Sequence, residues 1–289
     1  MFKRIVPAFC LSLLMAPALS QTEPAAGDAA LEAAPEKILV VGQRPGPGLW
    51  NISKGENVLW VFGTYSPLPD KMEWRSHQVE SILAQSQEFL APPSTGISIG
   101  YGAVTALPFL VGIKNNPDGA LLRDVLPADV YARWQPLKAK YIGDNNGIER
   151  ERPTFVADEL FRKGLAHAGL SANGGVDDSI FRIATKNKIR ITRTGVTVGI
   201  DSPFKAVRAF KKSKLDDVRC FAKTVEQLES DIDAMRIRAN AWAKGDIAVI
   251  QNLSFAERDE ACSDAIMNSV LSELQPEILT MKSKARDSW

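Results

Sequence analysis

The chain has 289 residues and a formal net charge of +1, and 45% of its residues are hydrophobic. This composition is that of an ordinary globular protein, and a chain of this length can bury one substantial core. The near-neutral charge gives no reason to expect nucleic acid or an anionic membrane as a partner, because both are bound by clusters of Lys and Arg.

The first 20 residues have the pattern of a signal peptide. Lys3 and Arg4 form a basic start, an apolar run follows over residues 5–16, and Ala18 and Ser20 supply small residues for cleavage. The apolar run is too short to span a bilayer comfortably. We expect cleavage after Ser20, which leaves no transmembrane segment and gives a periplasmic or secreted protein. An uncleaved anchor helix is the alternative.

Residues 21–37 are predicted to be a disordered leader, since they are rich in Ala, Glu and Pro and lack apolar periodicity. The folded domain is then expected over residues 38–289 and begins with a short strand, KILVVGQ. Loss of the signal peptide removes Cys10 and leaves Cys220 and Cys262. An even pair of cysteines in an exported chain favours a disulfide, with two separate buried thiols as the alternative.

The remaining pattern predicts an α/β fold in a single domain. The segments LWNIS and VLWVFG, joined by KGEN, predict a β-hairpin. Residues 70–87 predict an amphipathic helix capped by Asp70, and EFLAPP predicts a short strand. Helices dominate afterwards, with a strand over residues 188–192. We therefore expect a mixed β-sheet opened by an N-terminal β-hairpin and covered by several helices, with a helix-rich C-terminal half.

Several motifs occur in a fixed order: LWNISKGENVLWVFGT with the helix after it, GVDDSIFRIATKNKIRI, RANAWAKGD and the terminal RDSW. In this order they resemble the TraB/GumN family, which is related to the Tiki proteases and more distantly to the ChaN and erythromycin-esterase folds. The resemblance covers most of residues 49–289. It implies a fold shared with metal-dependent hydrolases.

This chain departs from the family pattern at each expected metal ligand. The pattern has a histidine two residues after the Gly-Thr of the second strand, where this chain has Ser66. Two glutamates are expected at later strand ends, where it has Ala91-Pro92 and Arg193. A neutral hydroxyl is a poor substitute for imidazole, and a guanidinium repels a cation. We therefore expect no metal site, no cofactor and a non-catalytic protein that acts by binding a ligand or an envelope protein.

A predicted binding site lies where the second strand ends. Its residues are Thr64, Tyr65, Ser66, Arg75 and Arg193. Arg75, Arg190 and Arg193 could form a basic pocket for a small anion such as a uronate or phosphate. A solvated basic surface is the alternative. Trp50, Trp60 and Trp74 are expected in the core, and stacking on a saccharide is their alternative role.

A hydrolase of peptide or ester bonds is the alternative function. Ser66 and His77 are its candidate catalytic residues, as a nucleophile and its base. No G-x-S-x-G motif supports such a nucleophile. His77 is otherwise an ordinary helix histidine with partial exposure.

The resemblance also predicts a truncated C-terminus. The family pattern closes with a Gly-x-x-His-Leu strand and a helix, and this sequence stops at RDSW just before them. An interior strand missing from the sheet leaves backbone groups without partners. We therefore expect an exposed sheet edge that is open to homodimerisation or to an envelope partner.

Overall fold

The fold is described from a computed structural model for residues 46–69, 72–98, 106–172, 175–230, 232–252 and 258–289. The predicted signal peptide, leader, first strand and helix cap Asp70 lie outside these residues. The strands are β1 Leu49–Lys54, β2 Asn57–Phe62, β3 Leu68–Pro69, β4 Glu88–Leu90, β5 Ser94–Ser98, β6 Leu170–Ser171, β7 Arg190–Thr192 and β8 Gly195–Gly199.

Helices make up most of the C-terminal half, as predicted. The α-helices are α1 His77–Gln85, α2 Leu122–Val125, α3 Ala128–Leu137, α4 Pro153–His167, α5 Val176–Lys186, α6 Pro203–Lys212, α7 Val218–Ser230, α8 Ile232–Lys244, α9 Ile247–Asn252, α10 Arg258–Met267, α11 Val270–Leu274 and α12 Met281–Asp287. Short 3-10 turns cover Leu107–Leu110, Pro117–Gly119, Asn146–Arg150 and Pro276–Thr280. A π-helical turn, Lys138–Ile142, extends α3.

The predicted hairpin is confirmed. Strands β1 and β2 pair antiparallel, with Leu49 opposite Phe62 at the base and Lys54 opposite Asn57 at the tip. Gly55 makes the turn with a left-handed φ of 61°, which glycine adopts at no steric cost. Among the described residues of β1 and β2, only Leu49 and Phe62 at the base of the hairpin pack against a core cluster.

Two of the three tryptophans are more exposed than predicted. Trp50 is 45% exposed and Trp60 is 40% exposed, because they lie beyond the packed base of the hairpin. Trp74 is half-buried and packs on Phe62 and Trp242, at centroid distances of 5.7 and 5.8 Å. The prediction of burial was therefore wrong for Trp50 and Trp60. An apolar pattern along a strand does not show whether another element covers that strand.

The other strands form a mixture of parallel and antiparallel pairs. Strand β3 pairs antiparallel with β6, while β4–β7 and β5–β8 are parallel. The two parallel pairs are joined by hydrogen bonds from the Ala91 N–H to the Thr192 carbonyl (2.9 Å) and from the Ser94 N–H to the Thr194 carbonyl (3.3 Å). Three residues, 91–93, therefore face two, 193–194, in a bulge at the two prolines. The mixed strand pairing is confirmed, in small sheets.

One hydrophobic core lies among the helices. Trp134 of α3, Val156 and Leu160 of α4, and Phe221 of α7 are fully buried, and the rings of Trp134 and Phe221 meet edge to face at 5.5 Å. The predicted disulfide is confirmed, because Cys220 of α7 is bonded to Cys262 of α10. The bond closes a sequence separation of 42 residues and ties these helices together.

Arg152, which is 1% exposed, links the start of α4 to the end of α6. Its guanidinium donates to the carbonyl oxygens of Phe210 (2.7 Å), Lys211 (3.1 Å) and Ser213 (3.0 Å) at the end of α6, where the last carbonyl groups of a helix need partners from outside it. The buried Asp217 accepts the Thr154 N–H at 2.9 Å and caps α4. Burial raises the pKa of Asp217, and burial lowers the pKa of Arg152.

A second core supports the site described below. Val79 and Leu83 of α1 are buried in one cluster with Val176 and Ile180 of α5 and Trp242 of α8. This packing places α1 beside α5, in the same cluster as the base of the hairpin. Within the described ranges, no helix has the length and apolar character needed to cross a membrane.

Candidate functional site

The end of β2 is held in place by a tryptophan. The Trp242 indole N–H donates to the Gly63 carbonyl at 2.7 Å, just before the predicted site residues. Thr64 is exposed, and Tyr65 is half-buried against the second core. The Ser66 hydroxyl is exposed and donates to the Ala172 carbonyl at 3.4 Å, beside the β3–β6 pair. These bonds hold the segment between β2 and β3, and the residues of β3 then form one wall of a cleft.

A cleft of about 830 Å³ lies between this wall and α5. Its volume is within the range of about 300–1,000 Å³ that is typical of small-molecule sites. Apolar groups line most of it, and charged side chains enter from α5 and from the bulge after β7. The principal lining residues are Met72, Trp74, Phe181, Asp178, Arg182 and Arg193.

The two cleft arginines keep donors available to a ligand. The Arg193 guanidinium lies 5.4 Å from the centre of the Phe181 ring, which orients it without using its N–H groups. Arg182 donates to the Ser179 hydroxyl (2.8 Å) and to the Asp178 carbonyl (3.4 Å). In the part of the chain that the structure describes, neither arginine forms an ion pair with a carboxylate.

Arg190 is placed outside the cleft. Its guanidinium forms an ion pair with Glu88 at 2.5 Å across the β4–β7 pair. Hydrogen bonds from the Thr192 hydroxyl and then from Arg190 lower the pKa of Glu88. Arg190 therefore stabilises the β4–β7 pair. The basic pocket that the sequence suggested includes Arg193 but not Arg190.

Of the predicted site residues only Arg193 lines the cleft, and Thr64, Tyr65, Ser66, Arg75 and His77 do not. Arg75 is exposed and lies beside Gly46, where an added Cβ would be 3.1 Å from the Arg75 Cβ. His77 is exposed at the first position of α1. No hydrogen bond joins His77 to Ser66, both of which are described residues. Their roles in binding or catalysis stay predictions.

The residues at this place do not fit a metal held in the manner that the resemblance implies. The bulge sets buried Ala91, which has no side-chain donor, beside the strand that leads to Arg193. Ser66 offers a neutral hydroxyl that is bonded to a carbonyl. Among the residues whose placement is described, no three His, Cys, Asp or Glu side chains form a group able to hold a metal ion.

Sequence reasoning missed the contribution of α5 to the cleft. Asp178, Phe181 and Arg182 line it, yet the sequence pattern assigns them no role in a site. The available signal was that Ser179, Arg182 and Lys186 follow one another at helical spacing on one face. Helical spacing does not show whether such a face meets bulk water or a cleft.

Comparison with known proteins supports the resemblance that the motifs suggested. No curated protein and no solved structure matches the chain significantly. The sequence pattern of the TraB/PrgY/gumN family matches residues 48–280, from the glycine before β1 to the 3-10 turn before α12. Because this match spans most of the chain, the protein belongs to the TraB/PrgY/gumN family.

Proposed function

We propose that the protein is an exported, non-catalytic member of its family that binds a small anionic ligand in the cleft beside α5. The observation that carries the proposal is the pairing of an apolar, aromatic-lined cleft with two arginines that have no described carboxylate partner. Guanidinium groups match the geometry of carboxylate and phosphate oxygens and bind them with two hydrogen bonds.

The residues at the positions of the expected metal ligands favour ligand binding over catalysis. Arg193 and Ser66 stand where the resemblance expects acidic and imidazole ligands, and neither supplies a general base near neutral pH. The Ser66 hydroxyl donates to the Ala172 carbonyl, and His77 makes no hydrogen bond to it. A nucleophile needs such a base within hydrogen-bond reach.

Binding is tested by calorimetric titration with D-glucuronate, inorganic phosphate and uncharged D-glucose. We expect at least one anion to bind and glucose to bind more weakly, with Arg193→Gln lowering anion affinity roughly tenfold or more, as expected for a charge-assisted contact. Arg123→Gln removes the same charge from an exposed position on α2 and serves as the matched control. Equal affinity for glucose and glucuronate, or no effect of Arg193→Gln, contradicts the proposal.

The non-catalytic part of the proposal has its own test. A fluorophosphonate probe should leave Ser66 unlabelled, and the purified protein should hold no stoichiometric zinc, manganese or cobalt. Labelling that disappears in Ser66→Ala would establish the hydrolase alternative. Export predicts that the mature protein begins at Gln21, which N-terminal sequencing checks.

A further inference from the structure

A second, smaller basin of about 260 Å³ adjoins the cleft along the groove between α1 and α5. Trp74, Ser179 and Arg182 line both spaces. Glu80 of α1 and Lys186 at the end of α5 line only the smaller one. The two spaces therefore meet at the shared residues and offer a ligand more length than the cleft alone.

We infer that the ligand is an acidic oligosaccharide of at least two sugar units that occupies both basins. This inference rests on the proposed function and specifies its ligand. Cationic groups follow the groove in order, with Arg193 in the cleft, Arg182 at the junction and Lys186 in the extension. Since α5 rises about 1.5 Å per residue, Arg182 and Lys186 are separated by about 6 Å along the helix axis. A single small anion would reach only part of this series.

The aromatic residues favour a sugar as the repeating unit. Trp74 stacks on Phe62 with an interplanar angle of 25° and also contacts Trp242, so its orientation is fixed by packing. Its remaining surface lines both basins. The C–H face of a pyranose ring is apolar and packs on such a surface, while the hydroxyl groups at its edge remain free for hydrogen bonds.

The carboxylates of the groove argue against a densely charged ligand. Asp178 lines the cleft and Glu80 lines the extension, so each space contains a carboxylate as well as cations. These acidic groups accept hydrogen bonds from sugar hydroxyls, but they repel closely spaced phosphates. A saccharide with one carboxylate on each sugar carries both kinds of group and matches this mixed lining.

Titrations with galacturonic acid, trigalacturonic acid and inorganic tripolyphosphate test the inference. We expect trigalacturonic acid to bind about tenfold or more tightly than galacturonic acid, because additional contacts are made without a second association step. Lys186→Gln should weaken binding of the trisaccharide and leave the affinity for the monosaccharide unchanged. Lys163→Gln, at an exposed position on α4, is the matched control and should change neither.

The outcomes separate this inference from the proposed function. If galacturonic and trigalacturonic acid bind equally, or if Lys186→Gln changes neither affinity, the inference is overturned while anion binding in the cleft stands. Tighter binding of tripolyphosphate than of trigalacturonic acid also overturns it in favour of a phosphate chain. If no anion binds, the proposed function fails together with it.

Discussion

The helical core and the cleft use arginine in opposite ways. Around α4, Arg152 is buried and its N–H groups are bonded to backbone carbonyls at the end of α6. Around α5, Arg193 is exposed, lies over a phenyl ring and faces a cleft. The same side chain therefore stabilises the fold in one region and remains open to an outside ligand in the other.

The difference shows which observation distinguishes a structural charge from a binding charge. A buried charged group must find partners within the protein, because an unpaired one costs several kcal/mol. An exposed guanidinium that packs on an aromatic ring keeps its N–H groups available to solvent or to a ligand. Substitutions in the helical core should therefore change stability, and substitutions in the cleft should change binding.

Removal of the disulfide should give the largest effect. For a separation of 42 residues between Cys220 and Cys262, loss of the bond should lower the free energy of unfolding by about 4 kcal/mol on the chain-entropy estimate. Urea denaturation of the wild type and of the double variant Cys220→Ala/Cys262→Ala measures this. Anion affinity, measured in the absence of denaturant, should not change.

Reductant provides the control for that experiment. Dithiothreitol should destabilise the wild type and leave the double variant unaffected, because only the wild type has a bond to lose. A loss of stability below about 1 kcal/mol, under the usual range of 2–4 kcal/mol, would show that the helical core does not depend on this crosslink.

Arg152→Gln should come next, with a loss of about 3 kcal/mol in unfolding free energy, because several backbone carbonyl groups at the end of α6 would lose one charged, buried donor. Arg182→Gln, at an exposed position, should change stability by less than about 0.5 kcal/mol. Urea denaturation followed by circular dichroism compares the two.

Arg152→Lys keeps the prediction testable if the glutamine variant does not fold. Lysine retains the charge but lacks the planar fork that reaches several carbonyls at once, so it should give an intermediate loss. Equal stability of the Arg152 and Arg182 variants would remove the contrast between the two regions.

Glu88 should give the smallest effect, and one that depends on pH. Its pKa is lowered below the ordinary value of 4.5, so its contribution to stability is present above about that pH and is lost as the pH falls through the lowered pKa. The stability difference between wild type and Glu88→Gln should therefore shrink as thermal unfolding is followed from pH 6 toward pH 3.

Glu260→Gln, at an exposed position on α10, controls for the loss of a negative charge. If its pH profile shows the same shrinking difference, the effect belongs to net charge and not to the contact of Glu88 with Thr192 and Arg190. Because that contact lies outside the cleft, neither variant should alter anion affinity.

Several elements could be predicted from local sequence because short-range physics decides them. Gly55 marks the hairpin turn, Pro127 separates α2 from α3, and the two prolines after Ala91 coincide with the bulge. Phe221 and Val225 are four residues apart in α7, which puts them on one face of the helix, and both are buried. The cysteine pair was predicted from its number and from the expected export of the chain.

The cleft was only partly predictable. Arg193 was found because the resemblance marks its position, whereas Arg182 and Lys186 were not singled out. Arg152 stands before a proline in a charged stretch and reads as a surface residue, yet it is buried. Its burial depends on the end of α6, which is about 60 residues away in the sequence.

The sequence by itself determined the family and the secondary-structure classes, because these depend on residue identity and local spacing. The tertiary structure alone decided which arginines are buried and which face the cleft. It also decided that the hairpin tryptophans are exposed and that α5 joins two basins. These properties depend on what packs against a surface from distant parts of the chain, and local periodicity carries no information about that partner.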